Sequence, residues 1–89
     1  MGADREYEEA YQQLKKYCAG TPVVDEFVDL DEGADAGEQY YSLSWLFASI
    51  LEHQVAIPRN VLIDVYGLLQ QEDRDEYRPA VNKLLLKNS

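Results

Sequence analysis

Apolar side chains recur at steps of three and four residues through most of this chain of 89 residues, as they do in amphipathic α-helices. Helices are predicted near residues 4–18, 38–53, 59–70 and 77–87. A chain of this length has room for one hydrophobic core. The sequence therefore predicts an all-α fold, a small single-domain bundle of about four helices over residues 1–89.

The first and second of these helices have the clearest apolar patterns. The first has a single stripe, formed by Tyr7, Ala10, Tyr11, Leu14, Tyr17 and Cys18. In the second, apolar residues extend well beyond one stripe, through Leu43, Leu46, Phe47, Ile50 and Leu51. We expect the second helix to be the central one, packed on several sides.

Two residues fit the helical pattern poorly. The polar, charged run 70–76 predicts a turn before the last helix. Proline cannot lie deep inside a helix, so Pro79 either marks the first turn of that helix or breaks a capping turn before it. Gly67 lies inside the third predicted helix, where glycine costs about 1 kcal/mol relative to alanine. Close packing is the explanation that we expect for it.

The connection between the first two helices, residues 25–38, is strongly acidic: it has seven acids and no Lys, Arg or His. Residues 1–38 carry eleven acids and three bases, a net charge of −8, whereas residues 39–89 carry six acids and five bases, a net charge of −1. The small residues of the acidic connection, Gly33, Ala34, Ala36 and Gly37, indicate a surface loop or an approach to a helix. The concentrated negative charge of residues 1–38 attracts basic partners and argues against direct nucleic-acid binding.

Groups that could perform catalysis or bind metal are scarce. Cys18 lies on an apolar stripe, where a buried structural thiol is expected, and His53 lies near a helix end, where the dipole favours it. Calcium-loop frames that begin at Asp25, Asp29 or Asp31 lack the glutamate required at position 12. We predict no enzyme, no catalytic residue, no metal and no cofactor.

The location expected for the chain is the cytoplasm. A single cysteine allows no internal disulfide, the first residues lack the layout of a signal peptide, and no apolar run approaches a membrane span of about 18 residues. We therefore predict a soluble protein without membrane association. The sequence does not fix an oligomeric state.

Acidic side chains next to aromatic ones suit the recognition of a basic protein, because carboxylates steer the partner and aromatic rings anchor it. The candidate partner-binding residues are Asp29, Asp31, Glu32, Asp35, Glu38, Tyr40 and Tyr41. At least one of the two tyrosines is expected in the core. The alternative is a solvated acidic segment that only keeps the protein soluble.

The segment 37–69 resembles the small helical immunity proteins of bacterial secreted-toxin systems, the MafI-like group. The shared pattern is an acidic Gly-Glu approach to an apolar helix, followed by an apolar-Pro turn into the next amphipathic helix. Its elements here are Gly37-Glu38, Leu43, Leu46, Leu51-Glu52, Val55, Ile57-Pro58, Leu62 and Leu68-Leu69. The small residue that the group has within the apolar helix is not clearly matched at Trp45-Leu46.

The resemblance implies a non-catalytic protein that neutralises a cognate toxin by masking its active site. Many such toxins are nucleases with basic clefts, which an acidic surface can occupy in place of phosphate. Two alternatives remain open. One is a helical adaptor or regulator that contacts its partner through apolar helix faces. The other is a nucleic-acid mimic that inhibits a host DNA-binding protein, although its acids should be spread along an extended face rather than clustered.

Overall fold

The computed structural model describes residues 2–87, with side chains from Arg5 onward, so positions 1, 88 and 89 of the predicted domain lie outside it. In this range the chain forms five α-helices and one short 3-10 helix, without a strand. They are α1 (Gly2–Tyr17), the 3-10 helix (Pro22–Glu26), α2 (Phe27–Asp35), α3 (Gln39–His53), α4 (Arg59–Leu68) and α5 (Gln71–Lys87). The predicted all-α class is confirmed, with five helices where about four were predicted.

The additional helix, α2, lies within the acidic stretch, whose small residues 33–37 were predicted to form a surface loop or an approach to a helix. Phe27, Leu30 and Ala34 recur at helical spacing and pack against the core. Although α2 has no basic residue, it therefore has an apolar side that fixes it to the rest of the bundle.

Two glycines allow α2 to end and turn closely into α3. Gly37 has a φ of +92°, a conformation that favours glycine. The Glu38 N–H donates to the Gly33 carbonyl at 2.9 Å and the Gly37 N–H to that of Ala34 at 3.1 Å, the pattern of a Schellman cap. At Gly33 a Cβ would lie 2.9 Å from Ser42 Oγ, so this glycine lets α2 approach α3.

Helix α3 is central, as predicted, because it contacts α1, α2, α5 and the 3-10 helix. Phe47 on α3 is fully buried, and its ring faces those of Tyr66 on α4 and Tyr77 on α5. The first-helix stripe enters the same core through buried Tyr11, Leu14 and Cys18.

The prediction for Pro79 is wrong. Helix α5 begins at Gln71, and Pro79 lies in its interior. Proline has no N–H to donate to the Asp75 carbonyl, four residues earlier. Both residues are exposed, so water can satisfy this carbonyl. The polar residues 70–76 are therefore largely the first turns of α5, not a turn before it.

The explanation offered for Gly67 is also wrong. No atom of the described chain beyond its local helix lies within 4 Å of a Cβ placed at Gly67, and the residue is exposed. Close packing therefore does not require glycine at this position.

None of the helices in residues 2–87 is long and apolar enough to span a bilayer.

Candidate functional site

A groove of about 290 Å³ lies between α2 and α3, and we call it the α2–α3 groove. Its lining consists of Glu26, Asp29, Leu30, Gly33, Glu38, Tyr41, Ser42 and Trp45. This set combines three carboxylates with two large aromatic rings and includes no basic side chain. The groove therefore combines negative charge with apolar surface.

The two rings form an exposed aromatic ridge, Tyr41 and Trp45, on α3. Their positions differ by four residues, so they lie on the same side of the helix, with ring centroids 5.8 Å apart. Tyr41 is 56% exposed and Trp45 is 48% exposed, large fractions for aromatic side chains. The ridge also borders a second groove of about 520 Å³, together with Glu26, Glu52 and Asp73.

Glu26 holds the aromatic ridge in place. The Trp45 Nε1–H donates to Glu26 Oε1 at 2.7 Å, and Ser49 Oγ donates to the same oxygen at 2.8 Å. Glu26 is the last residue of the 3-10 helix, so these bonds join that element to α3. A ring held in this way loses less conformational freedom when it is covered by a partner.

A buried hydrogen bond fixes the floor of the α2–α3 groove. Ser42 is 1% exposed, and its Oγ donates to the Leu30 carbonyl at 2.7 Å. This bond joins α2 to α3 beside Gly33, where a Cβ would lie 2.9 Å from the same Ser42 Oγ. The groove therefore has a defined shape set by helix packing.

Asp31, a predicted partner-binding residue, interacts with α1. Its carboxylate accepts hydrogen bonds from Lys15 Nζ at 2.9 and 3.0 Å and from the Tyr11 hydroxyl at 2.6 Å. Burial acts to raise the pKa of Asp31, but the hydrogen bonds from Lys15 and Tyr11 outweigh it and hold the pKa below its usual value. Asp31 thus helps to fix α2 against α1.

This pairing predicts how stability depends on pH. Because the pKa of Asp31 is lowered by folding, its stabilisation is present above the unfolded value, about 3.9, and is lost as pH falls through the folded value. Asp31→Asn should cost about 1 kcal/mol at neutral pH, a small value because the Asp31 side chain is 44% exposed. Urea unfolding at pH 7 and pH 3 should show a smaller difference from wild type at the lower pH.

Asp64→Asn is the control, since Asp64 is an exposed acid on α4. It should change the free energy of unfolding by less than about 0.5 kcal/mol at either pH. An Asp31→Asn effect that stayed constant between the two pH values would contradict the role given to the ionised carboxylate.

Tyr40 is half-buried and packs against the core, so the expectation that at least one of the two tyrosines is core is met only in part. Its ring meets that of Tyr7 edge-on at 4.9 Å, and its hydroxyl donates to Asp73 at 2.5 Å while accepting the Gln70 N–H at 2.8 Å. Burial and the bond to Asp73 raise the pKa of the Tyr40 hydroxyl. This tyrosine connects α3 to α5 and also lines the second groove.

The structure brings three of the seven predicted residues together at the α2–α3 groove: Asp29, Glu38 and Tyr41. Glu32 and Asp35 are exposed but lie outside its lining. The prediction did not include Glu26 and Trp45. The spacing of Trp45 four residues after Tyr41 was the available signal, since residues at i and i+4 share a helix face.

The one thiol and the one imidazole of the chain lie in different environments. Cys18 is fully buried, and burial, with a smaller effect of the Glu26 charge, raises the pKa of its thiol to about 11. His53 is exposed in the last turn of α3. Among the described residues, no three His, Cys, Asp or Glu side chains converge as a metal site would require.

Comparison of the chain with protein-family models, with curated proteins and with solved structures found no match.

Proposed function

We propose that this protein is a non-catalytic inhibitor that neutralises a cognate bacterial toxin by covering the toxin's basic active-site cleft. The contact surface is the α2–α3 groove together with the aromatic ridge. The observation that carries the proposal is the position of two exposed rings between two acid-lined grooves whose linings include no basic side chain. Such a surface offers anchors and charge complementarity at one place.

The charge of the surrounding surface supports a basic partner. Residues 17–58 contain eight acids and no Lys or Arg. Two bases come just before this range: Lys15 is bonded to Asp31, and Lys16 is exposed in the last turn of α1. A cleft that binds nucleic-acid phosphates would be attracted to this surface and blocked by it.

Two acids of α2 lie where they oppose helix stability. Glu32 and Asp35 are in the last turn of α2, near the negative end of the helix dipole, and no basic residue lies in that turn. Each such placement costs about 0.3–1 kcal/mol. Residues that oppose the stability of their own helix in this way are typical of functional surfaces. A basic partner that contacts Glu32 and Asp35 would offset their unfavourable interaction with the helix dipole.

The test is expression of the protein together with the product of the adjacent gene, since immunity proteins of this kind are encoded next to their toxins. We expect the neighbouring product to stop growth when expressed alone and growth to recover when the two are expressed together. The two should also purify as a complex with the toxin's active site blocked. A neighbour that is harmless, or whose toxicity persists in the presence of the protein, would overturn the proposal.

A helical adaptor is the second candidate, and exposed apolar side chains favour it. Val28 on α2 is 68% exposed and Val24 in the 3-10 helix is 37% exposed. Val28 lies outside the lining of the α2–α3 groove. Val28→Ser should therefore leave protection from the toxin unchanged, whereas an adaptor that docks through these valines should lose its partner.

A further inference from the structure

We infer that the α2–α3 groove receives an arginine side chain of the basic partner, with its guanidinium against the aromatic ridge. This inference rests on the proposed function in that the arginine belongs to the protein being neutralised. It goes further by naming the group that is recognised and the place where it binds.

The groove lining selects a cation with an apolar body. Tyr41 and Trp45 offer ring surface, and Asp29 and Glu38 line the same groove with exposed acidic side chains. Glu26 Oε1 already accepts bonds from Trp45 and Ser49, which leaves its other oxygen and the carboxylates of Asp29 and Glu38 for an incoming group. An anion would be repelled by all three acids, and a purely apolar side chain would leave the acids desolvated without compensation.

Arginine fits these features better than lysine does. Its guanidinium is planar, weakly hydrated and able to stack on aromatic rings while it donates to carboxylates. The volume of about 290 Å³ lies at the small end of binding-site volumes and suits one long side chain rather than a whole helix.

The protein already contains an internal example of this chemistry. Lys15 Nζ lies 5.4 Å from the Tyr11 ring centroid and 5.0 Å from that of Phe27, and it bonds the Asp31 carboxylate. One acid of α2 thus already shares a cation with neighbouring rings. The α2–α3 groove presents the same combination of groups with its rings exposed to solvent.

The test uses two capped peptides of equal charge, Gly-Arg-Gly-Arg-Gly and Gly-Lys-Gly-Lys-Gly, titrated into the intact protein at low ionic strength. Trp45 is the only tryptophan, so its fluorescence and its indole N–H resonance report directly on the ridge. We expect the arginine peptide to bind about fivefold more tightly than the lysine peptide and to shift the Trp45 signals. Equal affinities, or arginine binding that leaves Trp45 unchanged, would overturn the inference.

Substitutions of Tyr41 separate ring recognition from apolar docking. Because Tyr41 is exposed, both Tyr41→Phe and Tyr41→Leu should remain folded. Tyr41→Phe should keep the arginine affinity within about twofold, whereas Tyr41→Leu, which keeps apolar area but removes the ring, should lose about fivefold. Unchanged arginine affinity in Tyr41→Leu would show that the groove is an apolar docking site and contradict the inference. The same conclusion would follow if a peptide with leucine in place of arginine bound more tightly than the arginine peptide.

These outcomes are independent of the toxin experiment. Growth protection without a preference for arginine would remove the inference and leave the proposed function standing. A preference for arginine without growth protection would identify a guanidinium-binding groove on a protein that is not a toxin inhibitor.

Discussion

Changing Asp29, Glu32, Asp35 and Glu38 together to their amides is expected to weaken toxin binding about thirtyfold at low ionic strength. Each exposed charge at the rim of an interface contributes about 0.5 kcal/mol, so four together contribute about 2 kcal/mol. At about 1 M salt the Debye length is only about 3 Å, so the affinities of the variant and the wild type should converge. Trp45 fluorescence, titrated with toxin over a range of salt concentrations, measures both quantities.

A second variant with the same net charge is the control. It neutralises four exposed acids elsewhere on the surface: Glu6, Glu8, Asp64 and Glu72. Starting from −9, both variants have a net charge of −5. The control should retain affinity within about threefold, because screening limits the effect of distant charges. Equal losses in the two variants would mean that overall charge, rather than the acids of α2 and its end, attracts the partner.

The stability of these variants provides an independent check on the role of α2. Glu32→Gln with Asp35→Asn removes two charges that oppose the dipole at the end of α2. The double variant should therefore be more stable than the wild type by about 0.5–1 kcal/mol while binding less tightly. Weaker binding in a protein that unfolds at higher urea concentration cannot be attributed to damage to the fold.

The helices that were predicted well are those whose pattern is local. The stripe of α1 and the extended apolar surface of α3 each repeat over more than two turns, and both pack in the core except for Tyr17, which is 37% exposed. In α2 the pattern is shorter, and only Phe27, Leu30 and Ala34 mark its inner side. Gly33 and Gly37, which indicated a surface loop or an approach to a helix, provide a close helix contact and a helix cap. The sequence alone does not distinguish a glycine in a loop from one that provides a helix contact or a helix cap.

The candidate site was predicted in part for a related reason. The cluster of acids next to tyrosines predicted Asp29, Glu38 and Tyr41 as partner-binding residues, and these three line one groove. The pairing of Asp31 with Lys15 depends on how α1 packs against α2, and sixteen residues separate the two positions. Trp45 lies in the apolar helix α3, and only the tertiary structure shows that its side chain lines the groove. Helix periodicity locates a face but does not show which neighbouring helix covers it.

Phe47→Ala is expected to lower the free energy of unfolding by about 3–5 kcal/mol. The Phe47 side chain is fully buried, and its ring centroid lies 6.3 Å from that of Tyr66 and 6.0 Å from that of Tyr77. These rings belong to α4 and α5, so one side chain joins three helices. A domain of this size has a total stability of about 5–10 kcal/mol, and the variant should retain only a small part of it.

Urea unfolding and the labelling rate of Cys18 measure this loss in different ways. The Cys18 thiol is buried and has a pKa raised to about 11, so labelling near neutral pH requires the protein to open. Phe47→Ala should label much faster than wild type. Val28→Ala, at a residue that is 68% exposed, should match the wild type in both measurements.

Comparison of Phe47→Ala with Tyr41→Leu then separates the two sides of α3. One side carries the core through Phe47, and the other carries the aromatic ridge through Tyr41. Phe47→Ala should lose stability, and its toxin binding should weaken only to the extent that the variant is unfolded, because the groove exists only while α2 and α3 are packed. Tyr41→Leu should lose the preference for arginine at an unchanged free energy of unfolding. If Phe47→Ala kept wild-type stability, the shared core of α3, α4 and α5 would be contradicted, and with it the rigid support on which the ridge depends.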